Sequence, residues 1–395
     1  MHLAETAAQL EMRSRLRAYF ADEVMTPEVR NELRDGHYAP DATEVYRRVI
    51  RKLGEDGWLG IGWPQEIGGQ GLTMVEQAIF NDEANQAGVP LPLLTINSIG
   101  PAIAAHGTPE QRETLVKGIL RGEIHFAIGY SEPESGTDLA SLKTRAVRDG
   151  DEYVVNGQKL WTGMMEAADY IWLAVRTDPD APRHRGISVL VVPRHAPGIS
   201  STRMRTLGDH SVAAVGFENV RVPVENCIGG ENNGWAMITG QLNTERVALV
   251  STAPVEQAFA KVREWTAETK AEDGSRVLDD PAVRQTLARV RAEVEFQRLL
   301  NAKLATAVDA GRLDPAEASA AKVHGSELIG RGRRLLYEVL GLDAGLDENS
   351  PGAIAGGGFA KGAMSSNVMT FIGGANEIQR DLIAQHGLGL PRAPR

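Results

Sequence analysis

One carboxylate in this sequence occupies a position where the surrounding pattern calls for an apolar side chain. Trp235, Ile238, Leu242 and Leu249 recur at the spacing of one helix face, and Glu245 falls in that register, three residues after Leu242 and four before Leu249. Burial there would disfavour the charged form and tune the group upward toward proton transfer near neutral pH. The same spacing also fits a stripe-edge glutamate, solvated and paired with a basic residue, and periodicity alone leaves both readings open. Glu377 is the rival base. Asn376 as N-cap and Gln379 at N3 make it a first-turn residue favoured by the helix dipole.

Other chemistries find little support. No G-x-G-x-x-G follows a convincing strand and opens a helix, and no G-x-x-x-x-G-K-[ST] occurs, which argues against Rossmann and P-loop phosphate cradles. With one cysteine, Cys227, nine scattered histidines and no H-E-x-x-H, no metal site is expected and no internal disulfide can form. Lys+Arg 42 against Asp+Glu 52 leaves a net charge of −10, a field that repels nucleic acid and requires local donors for any CoA or nucleotide. The lone cysteine, a charged N-terminal stretch without an apolar signal core and the lack of an apolar run near ~18 residues point to the cytoplasm, with no membrane span.

The elements that must position Glu245 follow from patterning. A chain of 395 residues, 42% hydrophobic and 24% charged, has the length of two or three globular domains. Residues 1–125 read as helical: Met12, Leu16, Tyr19 and Phe20 share a helix face, and Thr108-Pro109-Glu110-Gln111 forms a capping-box start for a helix that Gly122 ends. Residues 126–230 read as strands, with Asn156-Gly157 as a hairpin turn between Tyr153-Val154-Val155 and Lys159-Leu160-Trp161, then Ile187 to Val192, and a last strand stopped by Pro223. From 231 to 395 long helices return, one from Asp280-Pro281 with Val283, Leu287, Val290 and Val294 inward, another from Asp314-Pro315 to Gly341. The glycine cluster from Gly352 to Gly362 reads as a loop.

Tyr130-Ser131-Glu132-Pro133-Glu134-Ser135-Gly136-Thr137-Asp138, continued through Asn156-Gly157-Gln158-Lys159-Leu160-Trp161-Thr162-Gly163, strongly resembles the central signature of acyl-CoA dehydrogenases. Gly57-Trp58-Leu59-Gly60 with Gly68-Gly69-Gln70-Gly71-Leu72, Phe217-Glu218-Asn219-Val220-Arg221-Val222-Pro223 and Asn376-Glu377-Ile378-Gln379-Arg380 extend the likeness over almost the whole chain. The fold this implies is α+β and multidomain: an N-terminal α-helical domain, a central β-barrel domain and a C-terminal four-helix bundle. The implied cofactor is FAD, contacted by Tyr130, Ser131, Gly136 and Thr137, with Trp161 packed on its ring and further contacts at Ala375 and Glu377. The family usually has Thr or Ser where this chain has Gly163, so a donor to the flavin must come from backbone or from Thr162.

Most members of the family place the base just before a Gly-Thr pair near the C-terminus, and here Gly373 stands at that position. A subset carries its base on another helix directly before an arginine, as Glu245-Arg246 does, so the likeness and the register converge on Glu245 as base and Arg246 as an organising cation. Gly373 is left a backbone N–H role at the thioester carbonyl. The reaction implied is α,β-dehydrogenation of an acyl-CoA substrate to the trans-2-enoyl-CoA, with electrons passed to an electron-transfer flavoprotein. The family's Arg-x-x-Phe-Gly and Gln-x-x-Gly-Gly segments, which bind FAD across a subunit interface, are replaced by Glu268 to Gly274 and Glu338 to Leu342. That pattern resembles the actinobacterial steroid side-chain enzymes, heterotetramers of two homologous subunit types, and implies a homologous second subunit and a bulky acyl group. An acyl-CoA oxidase and a non-catalytic subunit completing a partner's FAD site are the alternatives.

Overall fold

The computed structural model describes residues 4–33, 42–208, 211–248, 250–347, 350–354 and 357–392, with backbone alone for 242–248. Helix α1 (Ala7–Tyr19) begins at a capping box between Thr6 and Gln9 and buries Leu16, with Phe20 beyond its end. Helices α2 (Pro27–Glu32), α3 (Thr43–Glu55), α4 (Met74–Ala87), α5 (Gly100–His106), α6 (Pro109–Gln111) and α7 (Lys117–Leu120) follow. The Thr108 hydroxyl accepts from the Gln111 N–H at 3.2 Å while the Gln111 side chain accepts from the Thr108 N–H at 2.9 Å, the box read from sequence.

Eight strands come next: β1 (Phe126–Gly129), β2 (Arg145–Asp149), β3 (Glu152–Thr162), β4 (Tyr170–Arg176), β5 (Ile187–Pro193), β6 (Ile199–Arg205), β7 (Ser211–Pro223) and β8 (Cys227–Ile228). They form one mixed sheet in the order β6-β7-β3-β2-β4-β5-β8, with β1 pairing in parallel to β4 off that path. Strand β4 is buried on both faces: Trp172 and Ala174 join the core of the N-terminal helices, while Ile171, Leu173 and Val175 fill the sheet domain's own core. Double burial explains its unbroken apolar run. Asn156-Gly157, expected as a hairpin turn, lies inside the 11-residue β3 instead. The pairing with β7 shifts between Val155 and Gly157, where Gly157 takes a φ of 148° with the Thr144 Cα only 2.7 Å from where a Cβ would stand. Glycine is needed there for a bulge and a close approach, and the reversal between β2 and β3 is made at Gly150, φ 64°.

The C-terminal part comprises α8 (Gly234–Ala248), α9 (Ala253–Glu268), α10 (Pro281–Asp309), α11 (Pro315–Leu340), α12 (Phe359–Ser365) and α13 (Asn376–Leu382). Asp280 and Asp314 cap α10 and α11 by accepting from the N–H groups of Ala282 and Ala316, both at 2.7 Å. Val255 and Val262 of α9, Leu287, Val290 and Val294 of α10, and Leu328 and Leu336 of α11 share one core. Of the described residues in the stretch expected as a glycine loop, only the last four, 359–362, depart from that reading: they open α12, because Phe359 buries its ring in that core and anchors a helical turn. Helix α8 joins the parts. Met237 and Ile238 enter the N-terminal core, and just past its end Val250 lies against Gly325 of α11, so close that a Cβ there would fall 1.8 Å from a Val250 methyl. Among the described residues no helix is long and apolar enough to cross a membrane.

Candidate active site

The chain leaves β1 through Tyr130 and Ser131, and β3 fixes both. Lys159 donates from Nζ to the Tyr130 carbonyl at 3.0 Å and to Glu132 Oε1 at 2.8 Å, and the Leu160 N–H donates to the Ser131 carbonyl at 2.8 Å. Glu132 also accepts from the N–H groups of Lys143 and Thr144, at 2.7 and 2.9 Å. The Lys159 and Glu132 side chains are 0% and 7% exposed. Burial pushes Lys159 down to about 8, and the charge and hydrogen bond of Glu132 oppose that shift. Burial alone would raise Glu132, but the Lys159 charge and the backbone donors outweigh it and hold the carboxyl below its ordinary range. The next turn is closed by backbone bonds between Glu132 and Ser135, leaving Gly136 and Thr137 exposed and the space beside Gly136 open.

At the end of β3 the backbone turns left-handed at a tryptophan. Trp161 has a φ of 62° and is 61% exposed, an outlier for a bulky residue that costs about 1–3 kcal/mol and marks functional sites. Thr162 is buried, its Oγ1 has no hydrogen-bond partner, and the space beside Gly163 is open. A large flat face, an unused hydroxyl and accessible backbone therefore lie together beside the Tyr130–Ser131 segment.

Helix α8 presents Gly234, Met237, Ile238 and Gln241 as a buried row. Gln241 Oε1 accepts from the Tyr130 hydroxyl at 2.6 Å and from Trp172 Nε1 at 3.2 Å, which ties α8 to β1 and β4. Position 245 continues that row one turn further on. The side chains of Glu245 and Arg246, and those of Leu242 and Leu249 in the sequence register, lie outside the described residues.

Gly373 and its neighbours are placed by α11. Buried Lys322 donates to the carbonyls of Thr370 and Gly374 at 3.3 and 2.9 Å and to Asn376 Oδ1 at 2.8 Å. Gly373 and Gly374 take φ values of 62° and 91°, a left-handed pair that glycine permits. Asn376 was expected as an N-cap, but Ala375 is the cap. The Asn376 side chain is instead drawn inward by Lys322 and Ser326, with its amide donating to Glu327 at 3.3 Å. Glu377 is exposed in the first turn of α13.

Of the residues singled out in the sequence, Tyr130, Ser131, Trp161 and Thr162 are thus brought together, with Gly136, Thr137 and Gly163 on the adjoining loops. Gly373 and Ala375 sit on a separate loop, and Glu377 in the first turn of α13 that follows it. Sequence reasoning missed Gln241, Lys159, Glu132 and Lys322. Gln241 carried a signal, being a polar residue in the same buried row that drew attention to Glu245.

Comparison with known proteins identifies the family. The acyl-CoA dehydrogenase N-terminal domain profile matches residues 6–123, the middle domain residues 127–220 and the C-terminal domain residues 232–388. The chain belongs to the acyl-CoA dehydrogenase family and has acyl-CoA dehydrogenase activity. It is 50% identical over 402 residues to acyl-CoA dehydrogenase FadE26 of Mycobacterium tuberculosis (strain ATCC 25618 / H37Rv), covering 100% of each chain. Among solved structures it is similar to the ChsE4-ChsE5 complex from Mycobacterium tuberculosis, with a TM-score of 0.93, 50% identity and 100% of each chain covered. It is also similar to the Tcur3481-Tcur3483 steroid ACAD, with a TM-score of 0.91, 44% identity and 100% of each chain covered.

Proposed function

We propose that the chain performs FAD-dependent α,β-dehydrogenation of a bulky acyl-CoA, such as one carrying a steroid side chain, as the base-carrying subunit of a hetero-oligomer with a homologous second subunit. The observation that carries this reading is the joining of α8 to the Tyr130 rim through Gln241, one turn before position 245. Exposed Trp161, the orphaned Thr162 hydroxyl and the open space beside Gly136 and Gly163 fit a flavin: a wall for the ring, a side-chain donor and backbone donors. Tyr130, Ser131, Gly136, Thr137, Trp161, Thr162 and Gly163 would hold it, with Ala375 and Glu377 at the start of α13. When bound, FAD supplies the acceptor for the hydride that leaves the β carbon.

Glu245 takes the α proton. As it does so, negative charge develops on the thioester carbonyl, and the Gly373 N–H is the donor for that oxygen, its loop preset by Lys322. Arg246 stays cationic and organises the base. Two features support a second subunit type. The segment after α9 carries Glu272 and Asp273 where a phosphate-binding arginine is usual in the family, and Phe296 and Leu299 of α10 are 51% and 53% exposed. The solved relatives named as a two-protein complex and as a steroid enzyme support both the partner and the substrate class. An electron-transfer flavoprotein is the proposed electron acceptor.

The test is co-expression with a homologous neighbouring reading frame, followed by flavin-to-chain stoichiometry and turnover of steroid-CoA against linear acyl-CoA esters. Fewer flavins than chains is expected, with Glu245→Gln lowering turnover about 10²–10⁴-fold. Full turnover in that variant would make this chain the supporting subunit, and tight FAD in the isolated chain would remove the need for a partner.

A further inference from the structure

Gln241 is 5% exposed, and its two amide atoms have unequal surroundings. The oxygen takes two donors, the Tyr130 hydroxyl at 2.6 Å and the Trp172 indole N–H at 3.2 Å, while Nε2 is buried with no partner. The orientation is chemically fixed: an indole N–H can only donate, so the amide atom facing it is the oxygen. Trp172 also donates to the Tyr130 hydroxyl at 3.0 Å, which closes a three-membered network and leaves the amide no alternative rotamer that satisfies both donors. An unpaired buried donor costs about 1–3 kcal/mol, and such a group persists where something else completes it.

Gln241, in the buried row of α8, stands one turn before position 245, at the i, i+4 spacing at which a glutamine amide and a carboxylate can meet. We propose that Gln241 is a positioning residue: Tyr130 and Trp172 lock its amide so that the open Nε2 donor serves the Glu245 carboxylate and holds it for abstraction of the α proton. The network therefore couples two parts of the site, since the hydroxyl that orients the amide belongs to the segment beside Trp161. This inference rests on Glu245 being the base.

The test isolates proton transfer. 3,3-Dimethylbutanoyl-CoA has α hydrogens and no β hydrogen, so exchange of its α protons in D2O, followed by NMR on the assembled holoenzyme, reports the base alone. Exchange is expected to cease in Glu245→Gln. In Gln241→Met it is expected to slow by about 10–100-fold, the equivalent of one hydrogen bond to a charged group, with the Kd of the ester within about twofold. Gln241→Glu keeps an oxygen for Tyr130 and Trp172 and puts a second carboxyl in place of the amide donor, so the pH midpoint of exchange is expected to rise by at least about one unit, and it decides the matter should the methionine variant not fold. Wild-type exchange in both Gln241 variants beside a dead Glu245→Gln would overturn the inference and leave the base intact. Slow exchange in Gln241→Met with an unshifted pH profile in Gln241→Glu would show a packing role and overturn it too. Wild-type exchange in Glu245→Gln would remove the base, and the inference with it.

Discussion

Replacing Lys159 by methionine removes the cation that is hydrogen-bonded to the buried Glu132 carboxylate. Met fills most of the same volume, so the change acts on charge and hydrogen bonding. Glu132 keeps the Lys143 and Thr144 N–H groups, at 2.7 and 2.9 Å, and loses its counter-ion, while the Tyr130 carbonyl loses its 3.0 Å donor. With the lysine and glutamate side chains 0% and 7% exposed, water cannot screen what remains, and breaking such a pair costs about 3–5 kcal/mol. The carboxyl can escape only by binding a proton, and holding a glutamic acid neutral at pH 7 costs about 4 kcal/mol against its solution value. The two routes agree in size.

The second route also fixes the pH dependence. In the wild type Glu132 has a lowered folded-state pKa, so its contribution is present above the ordinary glutamate value and is lost as pH falls through the folded one. In the variant the folded value is raised, so stability is greatest at low pH and falls as pH rises through it. The gap between the two proteins must therefore widen from pH 5 to pH 7.5. Urea unfolding of both proteins across that range, with flavin retention in parallel, measures it. Glu132→Gln in the Lys159→Met background is expected to recover at least half of the loss, because a neutral amide needs no counter-ion. A loss under about 1 kcal/mol at pH 7.5, or one independent of pH, would refute the reasoning.

Two other perturbations have separable outcomes. His125, 3% exposed and with neither ring nitrogen bonded, is pushed down to about 4, first by burial and then by the Arg47 charge. Its folded value is depressed, so the stability it contributes is full above pH 6.5 and is lost as pH falls toward 4; His125→Phe, beside the Tyr46 ring, should flatten the stability profile by about 3 kcal/mol over that window in urea titrations. Trp161→Gly removes a ring that is 61% exposed and relieves a φ of 62°, so unfolding of the flavin-free protein should change by less than about 1 kcal/mol while flavin retention falls sharply; a large stability loss would mark Trp161 as a packing residue.

What the sequence made legible depended on whether a residue's neighbours in sequence are also its neighbours in space. The capping box at Thr108 and the inward row Leu287, Val290 and Val294 are local, and both stand as read. Asn156-Gly157 misled because its tolerance of unusual φ serves a bulge as well as a hairpin, and the choice is made by Thr144, which reaches it only through the sheet. Asn376 misled similarly: an asparagine before a helical run is a good cap until a buried lysine from α11 recruits its side chain.

The same distinction governs the site. Trp161 drew attention through its motif, yet the feature that makes it usable, a left-handed backbone with the ring turned outward, is a property of how β3 ends. Gln241, by contrast, sits in the very helical row that singled out Glu245, and a polar residue there requires the same explanation as an acidic one. Its explanation is long-range, for Tyr130 is 111 residues away in sequence and 2.6 Å away in space. An acidic group in an apolar stripe is therefore only half of a chemical signal; the other half is the unsatisfied donor one turn before it, which becomes visible once its oxygen is seen to be taken.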